Sequence, residues 1–243
     1  MKGVDHLVTL RDHSFFFSAL NRQSVVVDAG GNRGDFAQGI AQRFDCRVLV
    51  LEPVPELFES IPAGPNVQKF PCALTPQSGT FQFNVARNPE ANSLRPLRLE
   101  EMLAAIEVHG VSLEDFMREQ GLERIDLLKI DVEGAEIDLL LQAEERVLAR
   151  VSQITVEFHA HTLELLSNRE EETEKVGEVI ARMQRLGFSV LNRSSPFYID
   201  VLFVNRAALG VTAFGAALIQ LRHQWWHRVR EGIARRLKPR PAT

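Results

Sequence analysis

Short β-branched runs alternate along this chain with segments of helical spacing, and that order constrains the fold more than any other feature. SVVVDAGG (24–31) stops at Asp28 and two glycines. DFAQGIAQRF (35–44) follows, with Phe36, Ile40 and Phe44 four apart. RVLVLEP (47–53) ends on Glu52 and Pro53, and PELFESI (55–61) opens a helix with proline in its first turn. NVQKFPCAL (66–74) reads as a third strand and TFQFNV (80–85) as a half-exposed one. Residues 86–110 have no clean period and read as an insertion or a mobile loop. SLEDFMREQG (112–121) carries a capping box, Ser112 with Asp115, and closes on Gly121. IDLLKID (125–131) supplies the next strand, AEIDLLLQAEERVL (135–148) the next helix and QITVEFHAH (153–161) another strand. A charged amphipathic helix over 170–187 precedes a hairpin of 188–193 and 197–205, with Ser194, Ser195 and Pro196 in the turn. Strands alternating with helices predict an α/β fold, a mainly parallel sheet wound on both faces. Residues 6–20 read as a short amphipathic helix, so that 1–23 is an N-terminal helical segment ahead of a domain over 24–205.

A chain of 243 residues, 45% hydrophobic and 25% charged, fits one large domain with appendages. Cys46 and Cys72 have no metal-ligand or redox spacing and make no disulfide framework, so a reducing cytoplasm is the expected compartment. No stretch approaches the ~20 apolar residues of a membrane span, and the N-terminus lacks the apolar core of a signal peptide. Residues 206–243 read as a basic amphipathic helical tail: Val211, Phe214, Leu218, Leu221, Trp225, Val229 and Ile233 share one face. From Arg222 onward there are seven Arg or Lys against Glu231, together with both tryptophans, Trp225 and Trp226. Such a tail suits peripheral contact with an anionic membrane, a second copy in a homo-oligomer, or the domain's own core. Nucleic acid is not an expected partner, because the basic residues are confined to the tail and no binding module accompanies them.

In folds of this kind, ligands sit beyond the carboxyl ends of the strands. The loop there is Asp28-x-Gly30-x-x-x-Gly34. Dinucleotide binding favours Gly-x-Gly-x-x-Gly, which Gly30, Gly31 and Gly34 do not match. The observed spacing is the one that S-adenosylmethionine enzymes favour, and a cationic cofactor suits the acidic Asp28. Glu52, at the end of the next strand, can accept both ribose hydroxyl hydrogens.

VVVDAGGNRGDFA, VLVLEPVPELFESI, FPCALTPQSGTFQFNV and VSLEDFMREQGLERIDLLKIDVEGAEIDLLLQAEERVL, in that order, resemble FkbM-type S-adenosylmethionine-dependent methyltransferases over roughly residues 24–205. LKIDVEGAE is the most specific piece. The resemblance implies a class I, Rossmann-like methyltransferase fold of seven strands, the last antiparallel. It also implies O-methylation of sugar or other hydroxyl groups. Asp28, Gly30 and Gly34 would hold the methionine part, with Gly31, Asn32 and Pro53 in the same cofactor set. Glu52 would bind ribose, and Cys72 and Ala73 would lie near adenine. Ser93 is a further candidate by its place in ANSL (91–94). Gly31 and Arg33 depart from the family's more usual residues in this loop.

Three carboxylates, Asp131, Glu133 and Glu136, follow the fourth strand, and the next strand ends in Glu157 and His159. Asp131, Glu133, Glu157 and His159 are therefore the candidate catalytic residues. His159, with an unperturbed pKa near ~6.5, is one candidate base for the acceptor hydroxyl. Alternatively Asp131, Glu157 and His159 bind a divalent metal that activates that hydroxyl. Glu133 and Glu136 also suit the first turn of a helix, where acids complement the dipole. Lys129 reads as the partner of a carboxylate on an adjacent strand, Asp126 as a surface residue at strand entry and His161 as a loop residue. His6, His13 and His109 have no partner in the sequence and no expected role. The leading function is O-methyl transfer to a sugar or glycan hydroxyl. The alternatives are a polyketide, peptide or other small-molecule hydroxyl, or an inactive cofactor-binding scaffold.

Overall fold

The computed structural model describes residues 6–87, 102–159, 169–192, 200–212 and 215. In chain order the elements are β1 (Leu7–Leu10), β2 (His13–Phe16), β3 (Val25–Ala29), α1 (Asp35–Phe44), β4 (Arg47–Leu51), α2 (Pro55–Ser60), β5 (Val67–Phe70), β6 (Ala73–Leu74), β7 (Gly79–Ala86) and β8 (Met102–Val111). They continue with α3 (Leu113–Glu119), β9 (Leu127–Ile130), α4 (Glu136–Gln142), α5 (Glu145–Leu148), β10 (Gln153–Glu157), α6 (Arg169–Arg185), β11 (Phe188–Asn192), β12 (Asp200–Asn205) and α7 (Arg206–Leu209). Seven strands form one sheet in the order β11-β12-β10-β9-β3-β4-β5. β12 runs antiparallel to both β10 and β11, while β10, β9, β3, β4 and β5 pair in parallel. This is the class I methyltransferase strand order, with the expected antiparallel strand in place. The order reverses between β3 and β9, which makes their carboxyl ends the switch point where ligands bind.

Alternation along the strands divides the core. Val27, Ala29, Leu49, Leu51, Leu128, Ile130, Ile154 and Val156 pack on one face with Phe116, Ile137, Leu140 and Val179 from α3, α4 and α6. Val26, Val48, Val50 and Leu127 pack on the other with Phe36, Ile40 and Phe44 of α1. Asp28 and Lys129 share this second face with Val26 and Leu127, because they lie two residues on.

The amino-terminal segment is not the helix expected over 6–20. Arg11 and Asp12 both take positive φ, 47° and 62°, and fold β1 back on β2 as an antiparallel hairpin. Two left-handed turn residues give the twist a tight hairpin needs, but Arg-Asp is not the Asn-Gly or Asp-Gly that advertises it. All four residues of β2 are buried. Phe15 packs into the α1 side, and Phe16 packs with Leu202, Val204 and Val211. The Phe16 N–H donates to Gln153 Oε1 at 2.7 Å, and Ser14 Oγ donates to Asp200 Oδ2 at 3.0 Å. The hairpin is thus pinned to β10 and β12.

Other boundaries also move. Residues 102–111 are a strand, not a loop, and pair with β7 along its whole length. Its outer residues face solvent, so no apolar period marked it. The third apolar run splits, β5 staying in the main sheet while β6 joins β7 and β8 in a second, three-stranded one. The helix over 135–148 breaks at Ala143, where Arg182 of α6 donates to the carbonyls of Leu140 and Ala143 and caps the end of α4. At α3, Ser112 Oγ accepts from the Asp115 N–H at 3.1 Å. Ser78 completes the cap, its hydroxyl donating to the Asp115 carboxylate and accepting from the Ser112 N–H. Ser93, His161, the 193–199 turn and most of the basic tail lie outside the described residues. Among the described residues, no helix is long and apolar enough to cross a membrane.

Gly30 locks the glycine loop against the loop after β9. Its φ is +80°, and an added Cβ would lie 1.8 Å from the Asp131 carbonyl oxygen. Gly30→Ala should therefore lower the unfolding free energy by about 2 kcal/mol or more in urea titration. Gly64→Ala, where an added methyl meets nothing within 4 Å, should change it by less than about 0.5 kcal/mol.

Candidate active site at the strand switch point

Lys129 is the central group. It is 4% exposed in the middle of a parallel sheet. Its Nζ lies 3.1 Å from Asp28 Oδ1 and 3.2 Å from Asp131 Oδ2, and it donates to the Gly30 carbonyl at 2.8 Å. Burial opposes its charge, but the Asp28 and Asp131 carboxylates beside it hold the ammonium above its ordinary range. Burial alone would also raise Asp131; Lys129, His13 and His159 instead hold its carboxyl well below the usual carboxylate range. Lys129 thus pairs with a carboxylate across the β3–β9 register, as its place in the strand implied. Asp28 is fully buried, and burial raises its pKa despite Lys129. Its Oδ1 is ion-paired with Lys129, and its Oδ2 has no hydrogen-bond partner among the described residues.

The glycine loop runs from Gly30 to Gly34, which caps α1 in the left-handed conformation. Gly31 fits only as glycine, since a Cβ there would lie 2.1 Å from Val50 Cγ1. Asn32 takes φ 47°, and its N–H donates to Glu52 Oε2 at 2.8 Å. Glu52 Oε1 accepts from the Val54 N–H at 2.9 Å, across Pro53. Each Glu52 oxygen therefore keeps an unused lone pair, but the group is 4% exposed, and burial pushes its pKa up to about 7. Cys72 and Ala73 sit at the junction of β5 and β6, both buried. The Cys72 side chain packs into the core, and burial pushes its thiol up to about 12. Cys46 is buried as well, its thiol pushed up to about 11.

The loop after β9 answers for its carboxylates individually. Glu136 is 1% exposed and works as more than a first-turn acid. Its Oε1 accepts from the N–H groups of Val132 at 3.2 Å and Gly134 at 3.0 Å, and it lies 2.9 Å from His159 Nδ1. Glu133 takes φ 54°, a left-handed turn that brings its Oε2 to 3.4 Å from His159 Nε2. That nitrogen is also 3.8 Å from Asp131 Oδ1 and 3.9 Å from Glu157 Oε1. Burial would lower His159, but the Glu136 hydrogen bond, with Glu133 and Asp131, raises it to about 10. Burial pushes Glu133 up to about 8, against the pull of His159 and with Asp131, Glu136 and Glu157 adding to it. Burial and Asp131 raise Glu157. The four candidate catalytic residues therefore stand together, with Glu136 orienting the imidazole.

Two residues depart from the sequence reading. His13, given no role, is 2% exposed on β2, with Nε2 3.4 Å from Asp131 Oδ2 and its ring edge-on to Phe36. Its partner is 118 positions away, so no local signal could have found it. Asp126 is not simply a surface residue: its Oδ2 accepts from the Val25 N–H at 2.8 Å and ties β3 to the entry of β9. The expected metal set of Asp131, Glu157 and His159 is divided. Ligand atoms within 4.8 Å of one another occur as His13, Asp131 and Glu157 and as Asp131, Glu133 and His159. The division arises because the two imidazoles face opposite oxygens of Asp131.

Comparison with known proteins bears on what this geometry serves. The "Methyltransferase FkbM domain" family model matches residues 28–190, more than half of the chain. The chain is 28% identical over 182 residues to methyltransferase sdnD of Sordaria araneosa, covering 60% of this chain and 70% of that protein. It is 32% identical over 119 residues to 31-O-demethyl-FK506 methyltransferase FkbM of Streptomyces tacrolimicus, covering 49% of this chain and 42% of that one. A 31% match over 178 residues to AMB antimetabolite synthetase AmbE of Pseudomonas aeruginosa covers 56% of this chain and 8% of that protein. Among solved structures, the Methanococcus jannaschii fibrillarin pre-rRNA processing protein is similar at 13% identity and a TM-score of 0.44, with 82% of this chain and 80% of that one covered. That likeness is too distant to bear on activity. The family match spans the glycine loop, the acid after β4 and the carboxylates after β9, and this chain belongs to the FkbM family of S-adenosylmethionine-dependent methyltransferases.

Proposed function

We propose that this enzyme methylates a hydroxyl oxygen on a sugar or glycan, with His159 as the general base. The Glu136–His159 pair at the switch point carries this reading. A buried carboxylate on Nδ1 fixes the imidazole tautomer and leaves Nε2 as the atom that takes a proton. Glu136 is itself held by two backbone N–H groups, so the pair is set before any ligand arrives.

The residues fit the cofactor. Asp28 is a buried carboxylate with one oxygen on Lys129 and the other without a hydrogen bond among the described residues, Gly30 and Gly31 leave no room for side chains, and Glu52 keeps one lone pair on each oxygen. When bound, S-adenosylmethionine supplies an activated methyl group and a positive charge. Glu136, Glu133 and Asp131 hold His159 in the charged form, so the imidazole would have to release that proton before acting as a base, and a second cation near these carboxylates would favour the release. The neutral Nε2 would then take the acceptor's hydroxyl proton, and the cofactor would supply the methyl group that the oxygen receives. The chain's work is to orient the acceptor and receive that proton. The sugar acceptor rests on the sequence resemblance. A second reading, a polyketide, peptide or other small-molecule hydroxyl, is favoured by the name of the FK506-methylating relative.

Glu52 gives a pH signature. Its folded pKa of about 7 lies above the 4.5 of a free glutamate. The folded state thus binds the extra proton, so the stabilisation is complete below the free value and is lost as pH rises through about 7. Glu52→Gln should remove that slope in thermal melts, raising Tm at about pH 8 and changing it little at about pH 4. Ribose hydroxyls donate to the ionised form, so calorimetry should show S-adenosylhomocysteine binding tighten between about pH 6 and pH 8, and Glu52→Ala should weaken it by roughly 1.5–3 kcal/mol. Equal affinity in that variant removes Glu52 from the ribose site. His159→Ala should cut turnover by on the order of 10²–10⁴ while leaving cofactor affinity nearly unchanged, measured by mass spectrometry of glycan and small-molecule acceptors. A fully active variant removes His159 as the base.

A further inference from the structure

We propose that His13, Asp131 and Glu157 bind one divalent first-row transition cation, and that the amino-terminal hairpin is thereby part of the active site. The inference rests on the methyltransferase reading and adds a metal to it. The three residues come from β2, the loop after β9 and the end of β10, and their ligand atoms lie within 4.8 Å of one another. His13 belongs to a segment that the family match over 28–190 does not include.

The state of His13 distinguishes this group from a surface cluster of acids. A buried imidazole ordinarily satisfies both ring nitrogens. His13 is 2% exposed, its Nδ1 has no hydrogen-bond partner, and its Nε2 stands 3.4 Å from Asp131 Oδ2, long for a hydrogen bond. The polar contacts of this buried imidazole among the described residues thus reduce to one long approach from Nε2 to Asp131, which a metal shared by the two would replace with coordinate bonds. Carboxylates outnumber cations here: Asp28, Asp131, Glu133 and Glu157 face Lys129 and His159, and a divalent ion would offset the difference. Lys129 lies 3.2 Å from the same Asp131 oxygen, but Asp28 and the Gly30 carbonyl already match its ammonium. One imidazole with two carboxylates favours manganese, iron, cobalt or zinc over the all-oxygen preference of magnesium and calcium. Such an ion would hold the acceptor oxygen and lower its pKa, the proton still passing to His159.

The test titrates Co²⁺ and Mn²⁺ into the chelator-treated full chain by calorimetry, with Co²⁺ absorption reporting coordination. One equivalent should bind. His13→Gln and Glu157→Gln should each weaken binding by about tenfold or more, while Glu107→Gln on β8 should not. Glu157→Gln decides the matter if the hairpin variant does not fold. S-adenosylhomocysteine binding is measured on the same samples. Retained cofactor binding without saturable uptake of either ion up to about 1 mM overturns the metal site and leaves the methyltransferase reading intact. Uptake indifferent to both substitutions overturns the assignment of ligands. Loss of cofactor binding in the unmodified chain strikes the methyltransferase reading itself.

Discussion

One ammonium group organises the carboxyl end of this sheet. Lys129 stands where β3 and β9 part, and it bridges Asp28, Asp131 and the Gly30 carbonyl. A charge this deeply buried is tolerated only when paired and hydrogen-bonded, and removing one member of such a set typically costs about 3–5 kcal/mol. The glycine loop, the loop after β9 and the two strands are therefore held as one unit. Gly30 adds a steric lock to the same junction, since its α-carbon faces the Asp131 carbonyl with no room for a methyl.

The site is built by division of labour among similar groups. Four carboxylates gather at the carboxyl ends of β9 and β10, in three different environments. Asp131 is ionised beside Lys129, Glu136 is tied to the backbone, and Glu133 and Glu157 are raised by burial and by their neighbours. Two imidazoles flank Asp131 on opposite oxygens. Position alone separates the orienting acid from those that face the reacting centre.

How much of this was legible in the sequence depended on range. The parallel strands and the acids at their ends follow from apolar runs that stop at Asp28, Glu52, Asp131 and Glu157, and the seven-stranded arrangement from the family resemblance. Those signals are local and periodic. The amino-terminal hairpin was not legible, because Arg11 and Asp12 take left-handed turn positions without a glycine. β8 was missed because much of it is exposed and carries no apolar alternation. The break at Ala143 comes from Arg182, a residue on another helix. His13 acquires its meaning only from a carboxylate 118 positions away in the chain. Glu136 looked like a helix-dipole acid because its role depends on His159, which another strand delivers.

The two thiols have a practical consequence. Cys46 and Cys72 are the chain's only cysteines, both buried, and burial holds both in the protonated form at neutral pH. Thiolates, not thiols, attack alkylating reagents. A single cysteine introduced on an exposed position would thus be the one nucleophilic sulfur in the folded enzyme, so a fluorophore or spin label could be placed on the hairpin or beside the glycine loop without first removing the native pair.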